Sequence, residues 1–174
     1  MDLNLAGLVV IVTGASKGIG YACAEAFAAE GAKVALVSRS QANLDAALAR
    51  FPRSGSLPIA VAADMTSYDA ADRMVETVEK TLGEIDVLVN SAGAARRYAP
   101  DDLDAKAWHD AMDAKFFSYI HPTDAVLKRM LPRGRGTIVN IIGAGGKIAT
   151  PVHLPGGAAN SGEAFRARKP ALNL

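Results

Sequence analysis

The strongest chemical signal in the chain is Leu8 to Gly20, LVVIVTGASKGIG. An aliphatic run (Leu8, Val9, Val10, Ile11, Val12) stops at Thr13 and gives way to a turn carrying Gly14, Gly18 and Gly20. Glycines let a backbone turn tightly and lie against a bulky ligand with no Cβ in the way. From Ile19 to Glu30 the composition is Ala-rich and helical. The free N–H groups and positive dipole end of that helix would face the turn and favour a phosphate there. The run itself suits a strand buried on both faces, as in a parallel sheet. An ordinary strand-to-helix turn can contain glycine, but three glycines at this spacing after a buried strand point to a bound nucleotide.

The spacing is Gly-x-x-x-Gly-x-Gly rather than the commoner Gly-x-Gly-x-x-Gly. With Thr13 ahead of it, and with Asn90-Ser91-Ala92-Gly93 further on, the chain resembles the short-chain dehydrogenase/reductase family over about residues 5–160. The family usually has Asn-Asn-Ala-Gly at the second motif. The resemblance implies a Rossmann-like, doubly wound parallel sheet with helices on both faces. It implies an NAD(P)-dependent oxidoreductase that moves a hydride between a carbonyl and an alcohol. Thr13, Gly14, Ser16, Lys17, Gly18, Ile19 and Gly20 would form one wall of the cofactor site. The residue matching Asp64 would hydrogen-bond the adenine amino group, with Met65 lining the same pocket. Asn90 would tie the sheet together near the cofactor, and Ala92 and Gly93 would let the backbone approach the ribose.

Cofactor choice in such folds is made at the end of the second strand. There an acidic residue bonds the ribose 2′-hydroxyl of NAD, and an arginine accommodates the 2′-phosphate of NADP. Ser38 fills the acidic position and Arg39 follows it, while Lys17 adds a charge from the glycine turn. Two cations and no carboxylate predict NADP over NAD. Lys17 and Arg39 would otherwise read as solvated surface charges.

The catalytic positions depart from the family pattern. Its chemistry needs a serine hydroxyl, a tyrosine, a lysine that lowers the tyrosine pKa, and an asparagine. Aligning TIVNIIGAGG with the fifth strand puts Gly143 at the serine, Gly156 at the tyrosine and Asn160 at the lysine; Lys115 falls at the asparagine. The ordinary mechanism cannot run on these residues. His153 and Lys115 are the candidate substitutes, since histidine changes charge nearest neutral pH and a lysine supplies a cation. Lys147 and Tyr98 are weaker candidates. Each also has a plain reading: His153 sits in a flexible Pro/Gly loop, Lys147 follows two glycines, and Tyr98 lies in a polar connection.

The elements that must position these residues follow a strand-helix alternation. Strands are expected at Lys33–Val37, Ile59–Ala63, Ile85–Val89 and Thr137–Ile142, and a helix at Asn43–Phe51. A further helix is capped by Ser67 or Asp69, carries Met74, Val75, Val78 and Leu82 on one face, and ends at Gly83. A long helical stretch runs from about Leu103 to Met130, with Pro122 as the point where it could break. The alternation implies right-handed crossovers and a ligand crevice at the carboxyl ends of the strands.

A chain of 174 residues suits one domain. The net charge of +1 gives no electrostatic case for nucleic acid or an anionic membrane. No segment reads as a signal peptide or membrane span, and the single cysteine, Cys23, fits a reducing cytoplasm. His109, His121 and His153 are too scattered for a metal site. From Gly143 the sequence is Gly/Pro-rich, and 161–174 shows no amphipathic periodicity. Residues 1–160 therefore read as one dinucleotide-binding domain and 161–174 as an irregular tail. The family's last two strands are missing, so the chain reads either as naturally short or as shortened, with a frameshift or cloning scar behind its tail. The family also pairs the Leu103–Met130 helix between subunits, which implies a homo-oligomer. Three functions follow: an NADP-dependent oxidoreductase acting on a small carbonyl or alcohol, an NADP(H)-binding sensor or partner subunit without turnover, or a fragment of an active parent.

Overall fold

The computed structural model of the chain describes residues 3–53, 56–94, 97–148 and 151–167. Five parallel strands, β1 (Val9–Thr13), β2 (Lys33–Ser38), β3 (Ile59–Ala62), β4 (Ile85–Asn90) and β5 (Thr137–Asn140), lie in the order β3-β2-β1-β4-β5. The order reverses between β1 and β4, and at such a switch point the loops leaving the two strands separate to form a crevice. The helices α1 (Gly18–Ala29), α2 (Gln41–Ala49), α3 (Tyr68–Leu82), α4 (Ala105–Met112), α5 (Ser118–Met130) and α6 (Leu154–Ala167) complete the fold.

The central strands β1, β2 and β4 are buried on both faces, which is why they read as apolar runs, while β3 and β5 at the edges are only partly buried. Val9 and Ile11 pack toward Met74, Val75, Val78 and Val126 of α3 and α5. Val10 and Val12 pack on the other side toward Ala24, Ala28, Leu44 and Ala47 of α1 and α2. The β1–β4 register slips between Val9 and Val10, where the Val9 N–H donates instead to the Asp86 carboxylate at 3.0 Å. Ser67 caps α3 through its hydroxyl, and Gly83, at φ +106°, ends it.

Two expectations need correction. The irregularity in the long helical stretch is not at Pro122, which sits inside α5; it lies one turn earlier, where Asp113–Phe117 form a π-helical turn. The wider turn displaces the usual N–H partners, and the Ser118 hydroxyl lies 3.1 Å from the carbonyls of both Ala114 and Lys115. Nor is the chain irregular from residue 161, because α6 continues to Ala167; 168–174 lie outside the described residues. The buried stripe of α6 (Gly156, Ala159, Asn160, Glu163) has helical spacing but small and polar residues, so no hydrophobic period marks it.

Candidate functional site

Each glycine of the first turn has its own task. Gly14, at φ +67°, packs so closely on the loop after β4 that a Cβ would lie 2.8 Å from the Ser91 carbonyl oxygen. A Cβ on Gly20 would lie 2.6 Å from the Gly14 carbonyl oxygen, so Gly20 lets α1 close on β1. Gly18, at φ +62°, has no protein atom within 4 Å of where its Cβ would be. Its own backbone requires the glycine, and the space beside it is free for a ligand.

The N-terminus of α1 also differs from its neighbours. Ser40, Ser67 and Asp104 cap α2, α3 and α4 with side-chain oxygens, whereas Lys17, at the cap of α1, makes no such bond. No acidic residue occupies the first turn of α1. Its N–H groups and dipole are thus left for an anion. They open on a cleft of about 500 Å³ lined by Gly14, Ser16, Lys17, Gly18, Ile19 and Gly20. Ser38, Arg39, Asp64, Met65, Ala92 and Gly93 line it too. An uncapped helix end, a glycine facing open space and cations at the rim fit a dinucleotide with its pyrophosphate on α1.

At the end of β2, the Ser38 hydroxyl bonds the Ser16 hydroxyl at 3.3 Å, and Lys17 and Arg39 are exposed beside them. The turn is braced by Arg50, which the sequence did not mark: its Nη2 donates to the Ser16 carbonyl at 2.8 Å, and its guanidinium lies over the Tyr21 ring. Asp64 Oδ1 accepts from the Thr66 N–H at 3.0 Å and from the Thr66 hydroxyl at 2.9 Å. Thr66, Asn43 and Ser118 are further polar cleft residues that no motif singled out, although Asp-x-Thr is a local turn signal.

Thr13 and Asn90 stand behind the cleft. The Thr13 hydroxyl accepts from the N–H groups of Ser91 (3.0 Å) and Ala92 (3.1 Å), fastening the β4 loop to β1. Asn90 is fully buried, and its Nδ2 donates to Thr123 Oγ1 and Asn140 Oδ1, both at 2.9 Å. It joins β4 to α5 and β5.

Around the expected catalytic positions the structure gathers groups from α6, the loop after β5 and the π turn. The Gly143 N–H donates to Asn160 Oδ1 at 3.2 Å, so the amide of this 2 % exposed residue is turned onto the loop. His153 ends a 3-10 turn, Pro151–His153, that leads directly into α6. Its ring fills the space a side chain at Gly156 would need, and a Cβ there would collide with the imidazole. His153 Nδ1 is buried with no hydrogen-bond partner among the described residues. The Tyr98 N–H donates to the Val152 carbonyl, laying its loop along this turn, and Lys147 is exposed.

Lys115 lies in the π turn against the cleft wall. Its Cδ and Nζ are 3.1 and 3.6 Å from the point a Cβ on Gly93 would occupy. Its Nζ is 3.7 Å from a carboxylate oxygen of Glu163 on α6 and 3.4 Å from the Tyr119 hydroxyl. Burial pulls the Lys115 pKa down and outweighs the Glu163 carboxylate, which pushes it up. Burial also pushes Glu163 up to about 7, against the opposing pull of Lys115. Tyr119 is the phenol nearest to Lys115, yet it cannot serve as the missing tyrosine. Its hydroxyl donates to the Ile141 carbonyl at 2.7 Å, and burial followed by the Glu163 charge raises its pKa. Sequence reasoning missed both Glu163 and Tyr119, because neither lies in a motif.

The family described as short chain dehydrogenase matches residues 8–162. Gluconate 5-dehydrogenase of Gluconobacter oxydans is 37 % identical over 152 residues, covering 87 % of this chain and 59 % of the relative. The 3-oxoacyl-[acyl-carrier-protein] reductase of Synechocystis is 35 % identical over 159 residues, covering 91 % and 64 %. Among solved structures, an actinorhodin polyketide ketoreductase variant with NADPH superposes with a TM-score of 0.87 at 31 % identity, covering 95 % of this chain and 64 % of the other. The chain thus spans about three fifths of the length of these relatives.

Proposed function

The chain belongs to the short-chain dehydrogenase family, whose members are oxidoreductases, and on that premise we propose that it binds NADP(H) and transfers a hydride between the cofactor and a small carbonyl or alcohol. The observation that carries this reading is the uncapped N-terminus of α1, opening on a cleft whose β2 end offers Lys17 and Arg39 and, at Ser38, no carboxylate. Lys17 and Arg39 would pair with the 2′-phosphate, and the first N–H groups of α1 would hold the pyrophosphate. Asp64 and Met65 would meet the adenine, and Ala92 and Gly93 the ribose. Thr13 and Asn90 support the site from behind, so their part in binding is to hold the backbone. A bound nicotinamide supplies or accepts the hydride. The chain would supply the proton in reduction and take it up in oxidation, through Lys115 beside Gly93 or His153 in the space of the absent tyrosine.

Gly143, Gly156 and Asn160 favour a second reading, an NADP(H)-binding protein without turnover, because none of them can polarise a carbonyl or release a proton. The family resemblance also supports a homo-oligomer formed through the Leu103–Met130 stretch, and the lone cysteine a cytoplasmic setting.

Titrating the protein with NADPH and NADH, followed by nucleotide fluorescence, tests the cofactor claim. NADPH should bind more tightly, and Arg39→Ala should cost about 10- to 100-fold in NADPH affinity while sparing NADH. Equal binding of both nucleotides removes the NADP assignment. Hydride transfer to any member of a carbonyl panel then separates enzyme from silent binder.

A further inference from the structure

Glu163 is a buried charged group that the family pattern leaves unexplained. It is 1 % exposed, and neither carboxyl oxygen has a hydrogen-bond partner among the described residues. Burying a carboxylate this way is costly, and such a group calls for a reason. Among the described residues its counter-ion is Lys115, 3.7 Å away, with a side chain only 12 % exposed. Two features of the backbone bring them together. The π turn carries Lys115, and Gly162 lets α6 close on that turn, since a Cβ at 162 would lie 2.9 Å from Phe116 Cε2. Lys115 therefore spans from Glu163 inside the protein to Gly93 on the cleft wall.

We propose that Glu163 is a positioning residue for Lys115: its carboxylate holds the ammonium against the Gly93 wall, where Lys115 bears the proton of the reaction in place of the family's tyrosine. The proposal rests on the oxidoreductase reading above. In carbonyl reduction the Lys115 N–H bond breaks as its proton passes to the substrate oxygen. The C=O π pair becomes the new O–H bond while the carbon receives the hydride, and the neutral amine regains a proton from water. In alcohol oxidation the same steps run backwards. Among the described residues, the charges that shift Lys115 and Glu163 are each other's, with the Tyr119 phenol adjoining. Other titratable groups on the elements packed against α6 are Lys106, His109 and Asp110 of α4, Asp113 of the π turn, Lys147 and His153; none contributes to either shift.

The test compares the wild-type protein with Glu163→Gln and Lys115→Met. NMR titration of the Lys115 side chain without nucleotide should show its midpoint falling by about one to three pH units in E163Q, because the supporting carboxylate is gone. In K115M the Glu163 midpoint should rise above about 7. In turnover with NADPH, E163Q should move the alkaline limb of the pH profile for carbonyl reduction to lower pH, with NADPH affinity held. A merely structural Glu163 would lower the rate evenly and leave the limb in place. An unchanged Lys115 midpoint in E163Q, or an unmoved limb in a variant that still binds NADPH, overturns the proposal. Failure of the wild-type protein to bind NADPH overturns the oxidoreductase reading instead, and the proposal with it.

Discussion

Burial reverses the usual pH behaviour of a carboxylate at Glu163. In the folded protein its pKa is raised from the ordinary 4.5 to about 7, so between those values the folded chain keeps a proton the unfolded chain has released. Stability tied to this group is therefore fully present below about pH 4.5 and is lost as pH rises toward 7. Lys115 acts in the opposite sense and at higher pH: its depressed pKa means the unfolded chain binds the extra proton, so stability recovers as pH climbs toward 10.5. Melting curves collected from pH 4.5 to 7 should show wild-type Tm falling relative to Glu163→Gln, which has no proton to lose. Parallel curves for the two proteins would mean that Glu163 is solvated and not buried beside Lys115.

At the scale of elements, the glycine turn makes a contrast that one family of variants can resolve. Gly20→Ala drives a methyl into the Gly14 carbonyl and should cost about 1–3 kcal/mol of stability, read from the denaturant midpoint. Gly18→Ala meets no protein atom and pays only for a positive φ, about 1–2 kcal/mol, but places its methyl where the phosphates should lie. Its loss of NADPH affinity should exceed its loss of stability; unaltered binding would move the phosphates off the N-terminus of α1. This turn and the strands around it were legible in the sequence because their signals are local. A buried strand is an apolar run, and the turn needs glycine within a few residues of the strand end. The Lys115–Glu163 pair was not legible, because it depends on a π turn and on the approach of α6 through Gly162, neither of which has a periodic signature. The end of the chain misled for a related reason. α6 buries Gly156, Asn160 and Glu163 where a hydrophobic stripe would be expected, so a real helix looked like an irregular tail.

For the whole molecule, the proposed homo-oligomer needs a surface that a second copy can cover. Two of the exposed apolar surfaces are candidates. One is the α4–α5 stretch, where Phe117 stacks on His121 yet stays 37 % exposed, and where Trp108 is 36 % exposed. The other is β5, an edge strand of the sheet among the described residues, where Val139 is 42 % exposed. A closed dimer buries the same patch on both subunits, which a helix face satisfies without leaving further edges open. Strand-edge pairing, by contrast, tends toward uncontrolled association. Light scattering on the purified chain should therefore give a discrete oligomer, converted to monomer by Phe117→Lys and left intact by Val139→Lys. The reverse pattern would transfer the association to the edge of β5, and a wild-type monomer at all concentrations would remove the oligomer from the proposed function.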